Sequence, residues 1–133
     1  MTVALIIISH DIIGPSLLKT ATETVRVCPM VVKTLCASRD SDPDRLYAKA
    51  LALTREMNSE DGILVLTDLY GSTPSNIAAR LLNDIAHVRV VTGINLPMLL
   101  RILNYSSLPL DQLVQKAVSG GKNGIIEVSR DKV

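Results

Sequence analysis

Two side chains able to take part in nucleophilic or acid–base chemistry, His10 and Asp68, each follow a run of large apolar residues. The run before His10 spans residues 3–8, and the run before Asp68 spans residues 63–66. Continuous apolar runs of this length are typical of strands that are buried on both faces of a parallel sheet. Because parallel strands end at the same edge of their sheet, we expect His10 and Asp68 to share one crevice, although they are far apart in the sequence.

A histidine beside an aspartate at such an edge suits nucleophilic chemistry. The ordinary pKa of a histidine side chain is about 6.5, so a large neutral fraction is present at pH 7. A carboxylate on one ring nitrogen fixes the tautomer and leaves the other nitrogen free to attack. Two helix N-termini, expected at residues 14–16 and 73–76, offer backbone N–H groups to an anion. Together these groups favour phosphoryl transfer to His10.

The elements that must hold these groups follow from apolar spacing and from capping residues. Strands are predicted at residues 3–8, 31–35, 63–66, 88–91 and 125–128, and helices begin at residues 14–16, 42–43, 73–74, 95–97 and 110. The last helix is expected to stop at Gly120-Gly121. This alternation predicts an α/β fold with a doubly wound, mainly parallel sheet, in a single domain spanning residues 1–133. The last strand has no crossover helix after it, which leaves open an antiparallel edge strand or its exchange with a second subunit.

The loop after the third predicted strand carries polar side chains with more than one explanation. A threonine followed by a proline, Thr73-Pro74, suits the start of a helix. Ser72 and Thr73 are therefore better explained as turn and capping residues than as nucleophiles. Tyr70 is interpreted as either a lid over the crevice or a contact for a partner protein. Asn95 is expected to cap the next helix and to line the crevice.

The other reactive side chains receive structural interpretations. Asp11 is read as a solvated loop carboxylate beside His10. His87 precedes the fourth strand at the opposite edge of the sheet, which indicates a structural or solvent-exposed role. Cys28 and Cys36 lack CxxC spacing and have apolar neighbours, so we expect buried, reduced thiols of a cytosolic protein.

Composition excludes several classes of function. A net charge of +1 gives no reason to expect nucleic acid or an anionic membrane as the partner. The absence of Phe and Trp, with only three Tyr, argues against base stacking. No segment approaches the roughly 20 apolar residues of a membrane helix, and no signal peptide is expected. Two cysteines and two distant histidines are too few for a metal site.

Three motifs of this chain occur in a fixed order. The first is the opening strand that ends in Ser9-His10, the second is TDLYGSTPSN at residues 67–76, and the third is GINLPMLLRIL at residues 93–103. Together they resemble the IIA component of the mannose family of the bacterial phosphoenolpyruvate-dependent sugar phosphotransferase system. The order and the spacing of these motifs fit over the full 133 residues. Each motif alone is weak, but the three together are specific to that family.

The resemblance implies a fold and a reaction. The fold would be a three-layer arrangement with four parallel strands and a short antiparallel fifth strand, which is exchanged in a homodimer. His10 would accept a phosphoryl group from phospho-HPr and pass it to a IIB domain or protein. Asp68 would hydrogen-bond the back of the His10 ring, while Gly71, Ser72 and Thr73 would hold the phosphoryl oxygens. This transfer would use no metal, nucleotide or other cofactor, in a cytoplasmic protein that associates with membrane permease components without spanning the membrane.

The second motif departs from the family pattern at two positions. Ser72 stands where the family commonly has a second glycine, and its hydroxyl could hold phosphate or its Cβ could restrict the approach of the backbone. Ser75 stands where the family often has an aromatic residue, at a position that could touch the partner protein.

Other interpretations of the sequence stay open. One is a phosphorylation-dependent regulatory or binding module without a sugar permease. Another is the phosphotransfer subunit of dihydroxyacetone kinase, whose short loop resembles Gly71-Ser72, although the segment 93–103 favours the mannose type. A receiver-like domain would be expected to offer clustered acids, whereas only Asp11 accompanies His10.

Overall fold

The computed structural model describes residues 2–132 as a four-stranded sheet with helices on both faces. The strands are β1 (Ala4–His10), β2 (Val32–Ala37), β3 (Ile63–Thr67) and β4 (Val88–Thr92). The helices are α1 (Ile13–Val25), α2 (Pro43–Met57), α3 (Thr73–Asp84), α4 (Leu96–Asn104) and α5 (Leu110–Asn123), and a short 3₁₀ turn covers Arg130–Lys132. The strand order is β2-β1-β3-β4, with every neighbouring pair parallel. The predicted sheet of four parallel strands is confirmed.

The two faces of the sheet carry separate apolar cores. Alternate residues of β1 belong to different cores, since Leu5 and Ile7 pack with α1, α4 and α5, while Ile6 and Ile8 pack with α2 and α3. All four of these side chains are fully buried. Burial on both faces explains why the central strands read as continuous apolar runs in the sequence. β1 and β3 lie in the middle of the sheet, so the residues that follow them emerge side by side.

The predicted fifth strand is not present in the single chain. Residues 124–129 form no helix or strand, and Ile125, Ile126 and Val128 are exposed. A strand needs a neighbouring strand for its backbone N–H and C=O groups. Within the part of the chain that is described, no strand pairs with this segment. Its apolar side chains therefore remain uncovered.

The glycines predicted to stop the last helix lie inside it. α5 continues to Asn123, and both Gly120 and Gly121 are buried helical residues. A Cβ on Gly120 would lie 2.6 Å from Cβ of Arg101 on α4. The glycines are required by the close packing of α5 on α4, a contact that the local sequence does not reveal.

The prediction of buried cysteines is wrong, because Cys28 and Cys36 are both exposed. Cys36 lies on β2, an edge strand, and Cys28 lies in the loop that precedes this strand, where its thiol donates to the Met30 carbonyl (3.3 Å). Both thiols are free. Within residues 2–132, no helix is both long and apolar enough to span a bilayer.

Gly14 fixes the path of the chain directly after His10. α1 begins at Ile13, one residue before the predicted start, so Gly14 lies in the first turn of the helix. Its N–H donates to Oγ of the fully buried Ser9 at 2.8 Å. A Cβ on Gly14 would lie 2.8 Å from both Ser9 Oγ and Ile7 Cγ2. Only glycine allows α1 to approach β1 this closely.

We expect Gly14→Ala to lower the free energy of unfolding by about 1–3 kcal/mol, because the added methyl group overpacks the contact with β1. Denaturant titration measures this loss. Ser16→Ala, at an exposed position of the same helix, is the matched control and should change stability by less than about 0.5 kcal/mol. Equal effects at the two positions would contradict the close approach of α1 to β1.

Candidate active site

The structure brings His10 and Asp68 together at the carboxyl edge of the sheet, as predicted. Oδ2 of Asp68 accepts two hydrogen bonds from His10, one from its backbone N–H (2.9 Å) and one from ring Nδ1 (2.8 Å). The pairing of β1 with β3 sets this geometry, because Ile8 lies opposite Thr67 and the next residues of both strands reach the same edge. The backbone and the ring of His10 are therefore held by one carboxylate oxygen.

The electrostatics of the pair define the tautomer of His10. Burial raises the pKa of the Asp68 carboxyl, but the hydrogen bonds from the backbone and ring of His10 outweigh this effect and hold that pKa below its ordinary value. Asp68 is thus ionised at neutral pH and is only an acceptor, so Nδ1 carries the proton. The lone pair of a neutral ring then lies on Nε2. The His10 side chain is 44% exposed against 10% for Asp68, so Nε2 is accessible while the carboxylate is sheltered.

The second oxygen of the carboxylate is also informative. Asp68 Oδ1 is buried and has no hydrogen-bond partner among the described residues, and the same holds for the hydroxyl of Thr67. Among the described residues, His10 is therefore the only side chain hydrogen-bonded to this carboxylate. Asp68 is arranged to act on His10.

The loop after β4 is attached directly to the end of β3. The carbonyl of Thr67 accepts hydrogen bonds from the N–H groups of Gly93 (2.9 Å) and Ile94 (3.0 Å). Asn95 caps α4 by accepting from the N–H of Met98 (2.9 Å), as predicted, and its amide donates to the Gly121 carbonyl (3.1 Å). This loop supports the strand that carries Asp68, and Asn95 joins α4 to α5.

The loop between β3 and α3 is a tight turn followed by a helix N-terminus. The N–H of Ser72 donates to the Leu69 carbonyl at 3.3 Å, and Gly71 between them has a φ of +81°. A positive φ at the third position of a turn favours glycine. Ser72 itself has a φ of −83° and a ψ of 173°, an extended conformation that any residue adopts, so the family's second glycine is not needed here. Thr73 follows as the first residue of α3 and is exposed.

Four large apolar side chains that follow His10 and Asp68 closely in the chain are exposed. Ile12 and Ile13 follow it, and Leu69 and Tyr70 stand on the neighbouring loop; all four are exposed, with Tyr70 at 83%. Large exposed apolar side chains around a polar centre are typical of a protein-binding surface. The high exposure of Tyr70 favours a partner contact over a lid on the histidine ring.

Sequence reasoning missed the roles of two buried serines. Ser9 is fully buried and accepts from Gly14, and Ser75 is 6% exposed and accepts from the N–H of Gly71 at 3.2 Å. The sequence suggests Ser75 as a position that could touch a partner, but its burial contradicts this. The residues interpreted as peripheral, Asp11 and His87, are both exposed. Asp11 adopts a φ of 42° in the turn beside His10.

Taken together, the site presents an accessible imidazole nitrogen, an ionised carboxylate behind the ring and a helix N-terminus nearby. A family model labelled EIIA-man, described as the fructose IIA component of the PTS system, matches residues 4–118. The chain belongs to the mannose-family IIA components of the phosphotransferase system. Membership of this family connects the chain with phosphoryl transfer within that system.

Relatives of known name agree with this assignment. The mannose-specific EIIAB component of the PTS system from Escherichia coli (strain K12) is 32% identical over 127 residues, which cover 94% of this chain but 39% of that protein. The chain therefore spans about two fifths of the length of this curated relative. Among solved structures, EIIA from Streptococcus agalactiae is 26% identical, with a TM-score of 0.79 over 94% of this chain and 96% of that one.

The overall shape is shared more widely than the sequence. The mannose/sorbose specific IIA subunit from Enterococcus faecalis has a TM-score of 0.86 at 24% identity and covers 97% of this chain and 96% of its own. At this identity the likeness shows the fold. The four parallel strands and the flanking helices are thus those of mannose-family IIA proteins.

The lowered pKa of Asp68 predicts how stability depends on pH. Because the folded state favours the ionised carboxylate, that carboxylate stabilises the fold above the unfolded-state pKa of about 3.9, and the stabilisation is lost as pH falls through the folded-state pKa. We expect Asp68→Asn to be less stable than the wild type at pH 7, and the difference to shrink below about pH 4. Urea denaturation across this range measures it.

Asp40→Asn is the matched control for this experiment, because Asp40 is an exposed carboxylate without a hydrogen bond among the described residues. Its effect on stability should be small at every pH. A loss of stability in Asp68→Asn that stays constant from neutral to acidic pH would show that the charge of Asp68 is not the source of the stabilisation.

Proposed function

We propose that the protein is a phosphohistidine carrier, in which His10 accepts a phosphoryl group from phospho-HPr and passes it to a histidine of a IIB domain or protein. The observation that carries this proposal is the hydrogen bond between His10 Nδ1 and Asp68 Oδ2, which leaves Nε2 as the accessible nucleophile. In the proposed setting the protein works in the cytoplasm, as a single domain over residues 1–133, and uses no cofactor of its own.

The transfer step is a displacement at phosphorus. The lone pair of His10 Nε2 forms a new N–P bond as the N–P bond of the donor phosphohistidine breaks, and the donor nitrogen keeps the bonding electrons. Because Nδ1 retains its proton, the phosphorylated ring carries a positive charge. The ionised carboxylate of Asp68 stabilises that charge at 2.8 Å from Nδ1. Onward transfer to IIB reverses these changes at His10.

The phosphoryl oxygens would be received by the loop and helix start at Gly71, Ser72 and Thr73. The first N–H groups of a helix have no partner within the helix, and the helix dipole favours negative charge at this end. Thr73 adds an exposed hydroxyl to these backbone donors. Phosphate and protein partner would meet at one surface, since the exposed side chains of Ile12, Leu69 and Tyr70 lie around the same site.

The proposal includes a homodimer that exchanges the C-terminal segment as a fifth, antiparallel strand. β4 is an edge strand in the described chain, so one side of its backbone is open to a further strand. Residues 124–129 offer exposed apolar side chains, and Ile125 lines a cavity of about 170 Å³ beside the end of β4. Pairing of this segment with β4 of a second copy would cover both.

A regulatory or binding module without a sugar permease, and a phosphotransfer subunit of dihydroxyacetone kinase type, are the alternatives to a transport role. The paired His10 and Asp68 favour a protein that takes up phosphate over a module that only binds. A transport role and a regulatory role differ in the molecule that receives the phosphoryl group from His10. They do not differ in the site at His10 itself.

The first test of the carrier role is incorporation of phosphate. We expect the wild type, incubated with phosphoenolpyruvate, enzyme I and HPr, to gain one acid-labile phosphate by intact mass. His10→Ala should gain none and remain folded, because its side chain is only half-buried at the end of a strand and supplies little apolar burial.

His87→Asn is the matched control for this loss, since it removes the other histidine of the chain from the opposite edge of the sheet. Asparagine suits that position because its φ is 57°. Phosphate uptake should be unchanged in this variant. Labelling of His10→Ala, or a folded wild type that takes up no phosphate, would refute the carrier role, and the second result would favour the binding module.

The exchanged strand makes a separate prediction about assembly. We expect deletion of residues 124–133 to convert a dimer into monomer or aggregate, because the edge of β4 and the apolar faces of the segment lose their partners. Sedimentation velocity measures the change. A dimer that persists unaltered after the deletion would rule out exchange of this segment as the basis of assembly.

A further inference from the structure

Two serine hydroxyls hold the turn that leads into α3. Ser72 Oγ–H donates to the Leu69 carbonyl at 2.6 Å, a shorter contact than the backbone bond from Ser72 N–H to the same oxygen at 3.3 Å. Ser75 Oγ accepts from the N–H of Gly71 at 3.2 Å. We call Ser72 and Ser75 the hydroxyl clamp. Ser72 closes the turn, and Ser75 attaches Gly71, the third residue of the turn, to α3.

The clamp is anchored in the core through Ser75. Its side chain is 6% exposed, and it lies between the buried Pro74 and the fully buried Ile77 in the first turn of α3. The turn itself is exposed, with Leu69 at 62% and Tyr70 at 83%. A surface turn of this kind has few apolar contacts to keep its shape, so its side-chain hydrogen bonds have a large influence on its conformation.

The clamp also decides which donors remain for an incoming anion. The N–H of Gly71 is already used by Ser75, and both the N–H and the hydroxyl of Ser72 are used by Leu69. Thr73 differs, because neither its hydroxyl nor its N–H has a hydrogen-bond partner among the described residues. Of the three residues expected to hold phosphoryl oxygens, Thr73 is therefore the one whose donors are free.

We propose that Ser72 and Ser75 are positioning residues, which hold the turn so that Thr73 and the N-terminus of α3 face the phosphoryl group on His10. This inference rests on the proposed function and assigns the two serines a role that acts through Thr73. Ser72 keeps its hydroxyl proton on the Leu69 carbonyl instead of donating it to phosphate. The hydrogen bonds of the two serines restrict the turn to one conformation before phosphate binds. Little loop ordering therefore accompanies each transfer.

The existence of the clamp is tested without phosphate, by hydrogen exchange of the Gly71 amide followed by NMR. We expect Ser75→Ala to speed exchange at Gly71 by about fivefold, as loss of one neutral hydrogen bond implies. Ser107→Ala, at an exposed position outside the site, is the control and should leave exchange at Gly71 unchanged. Unchanged exchange at Gly71 in Ser75→Ala would overturn the clamp.

The positioning role is tested by the kinetics of transfer from phospho-HPr. We expect Ser72→Ala and Ser75→Ala to lower kcat by about fivefold each, with KM within about twofold, because docking is unaffected while the phosphoryl group is less well held. The half-life of the phosphohistidine should change as well. Ser72→Thr has the hydroxyl that Ser72→Ala lacks, and the extended backbone at this position suits threonine. Its kcat should therefore return to the wild-type value.

The outcomes separate this inference from the proposed function. Faster exchange at Gly71 with unaltered kcat and phosphohistidine half-life would show a clamp that positions nothing, and would overturn the positioning role. Failure of Ser72→Thr to restore kcat would overturn the role of the Ser72 hydroxyl. A wild type that takes up no phosphate refutes the carrier function and the positioning role together, while exchange at Gly71 still decides whether the clamp exists.

Discussion

The site depends on the two hydrogen bonds that Oδ2 of Asp68 accepts from His10, because they fix both the backbone and the ring of that residue. A histidine at the end of a strand, 44% exposed, would otherwise rotate among several orientations. One acceptor for two donors joins the tips of β1 and β3 and sets which ring nitrogen is nucleophilic. The surrounding contacts, from the Thr67 carbonyl to the β4 loop, hold β3 so that this oxygen stays in place.

The sequence was sufficient to predict the features that arise from long apolar runs and from strong caps. The parallel strands, the joint position of His10 and Asp68, and the cap of α4 at Asn95 all follow from local patterns and from the rule that parallel strands end at one edge. Such signals need only near neighbours in the chain, or a general property of sheets, to be interpreted correctly.

The features that the sequence did not reveal depend on which surfaces meet. Gly120 reads as a helix stop until α4 is seen to pass within reach of its missing Cβ. Cys36 has apolar neighbours in the chain but lies on an edge strand, where burial is incomplete. Ser75 looks like a surface residue after a proline, yet it faces inward and supports Gly71. Each error came from tertiary packing that overrides a local preference.

The pairing of β1 with β3 has a consequence for folding. His10 and Asp68 are 58 residues apart, and their hydrogen bond requires the register in which Ile8 lies opposite Thr67. A slip of one residue would turn Asp68 toward the other face of the sheet. The segment containing α1, β2 and α2 lies between these strands, so the non-local pairing of β1 with β3 must be complete before an oriented imidazole exists. The hydrogen bond between His10 and Asp68 is in this way a local reporter of the central strand register.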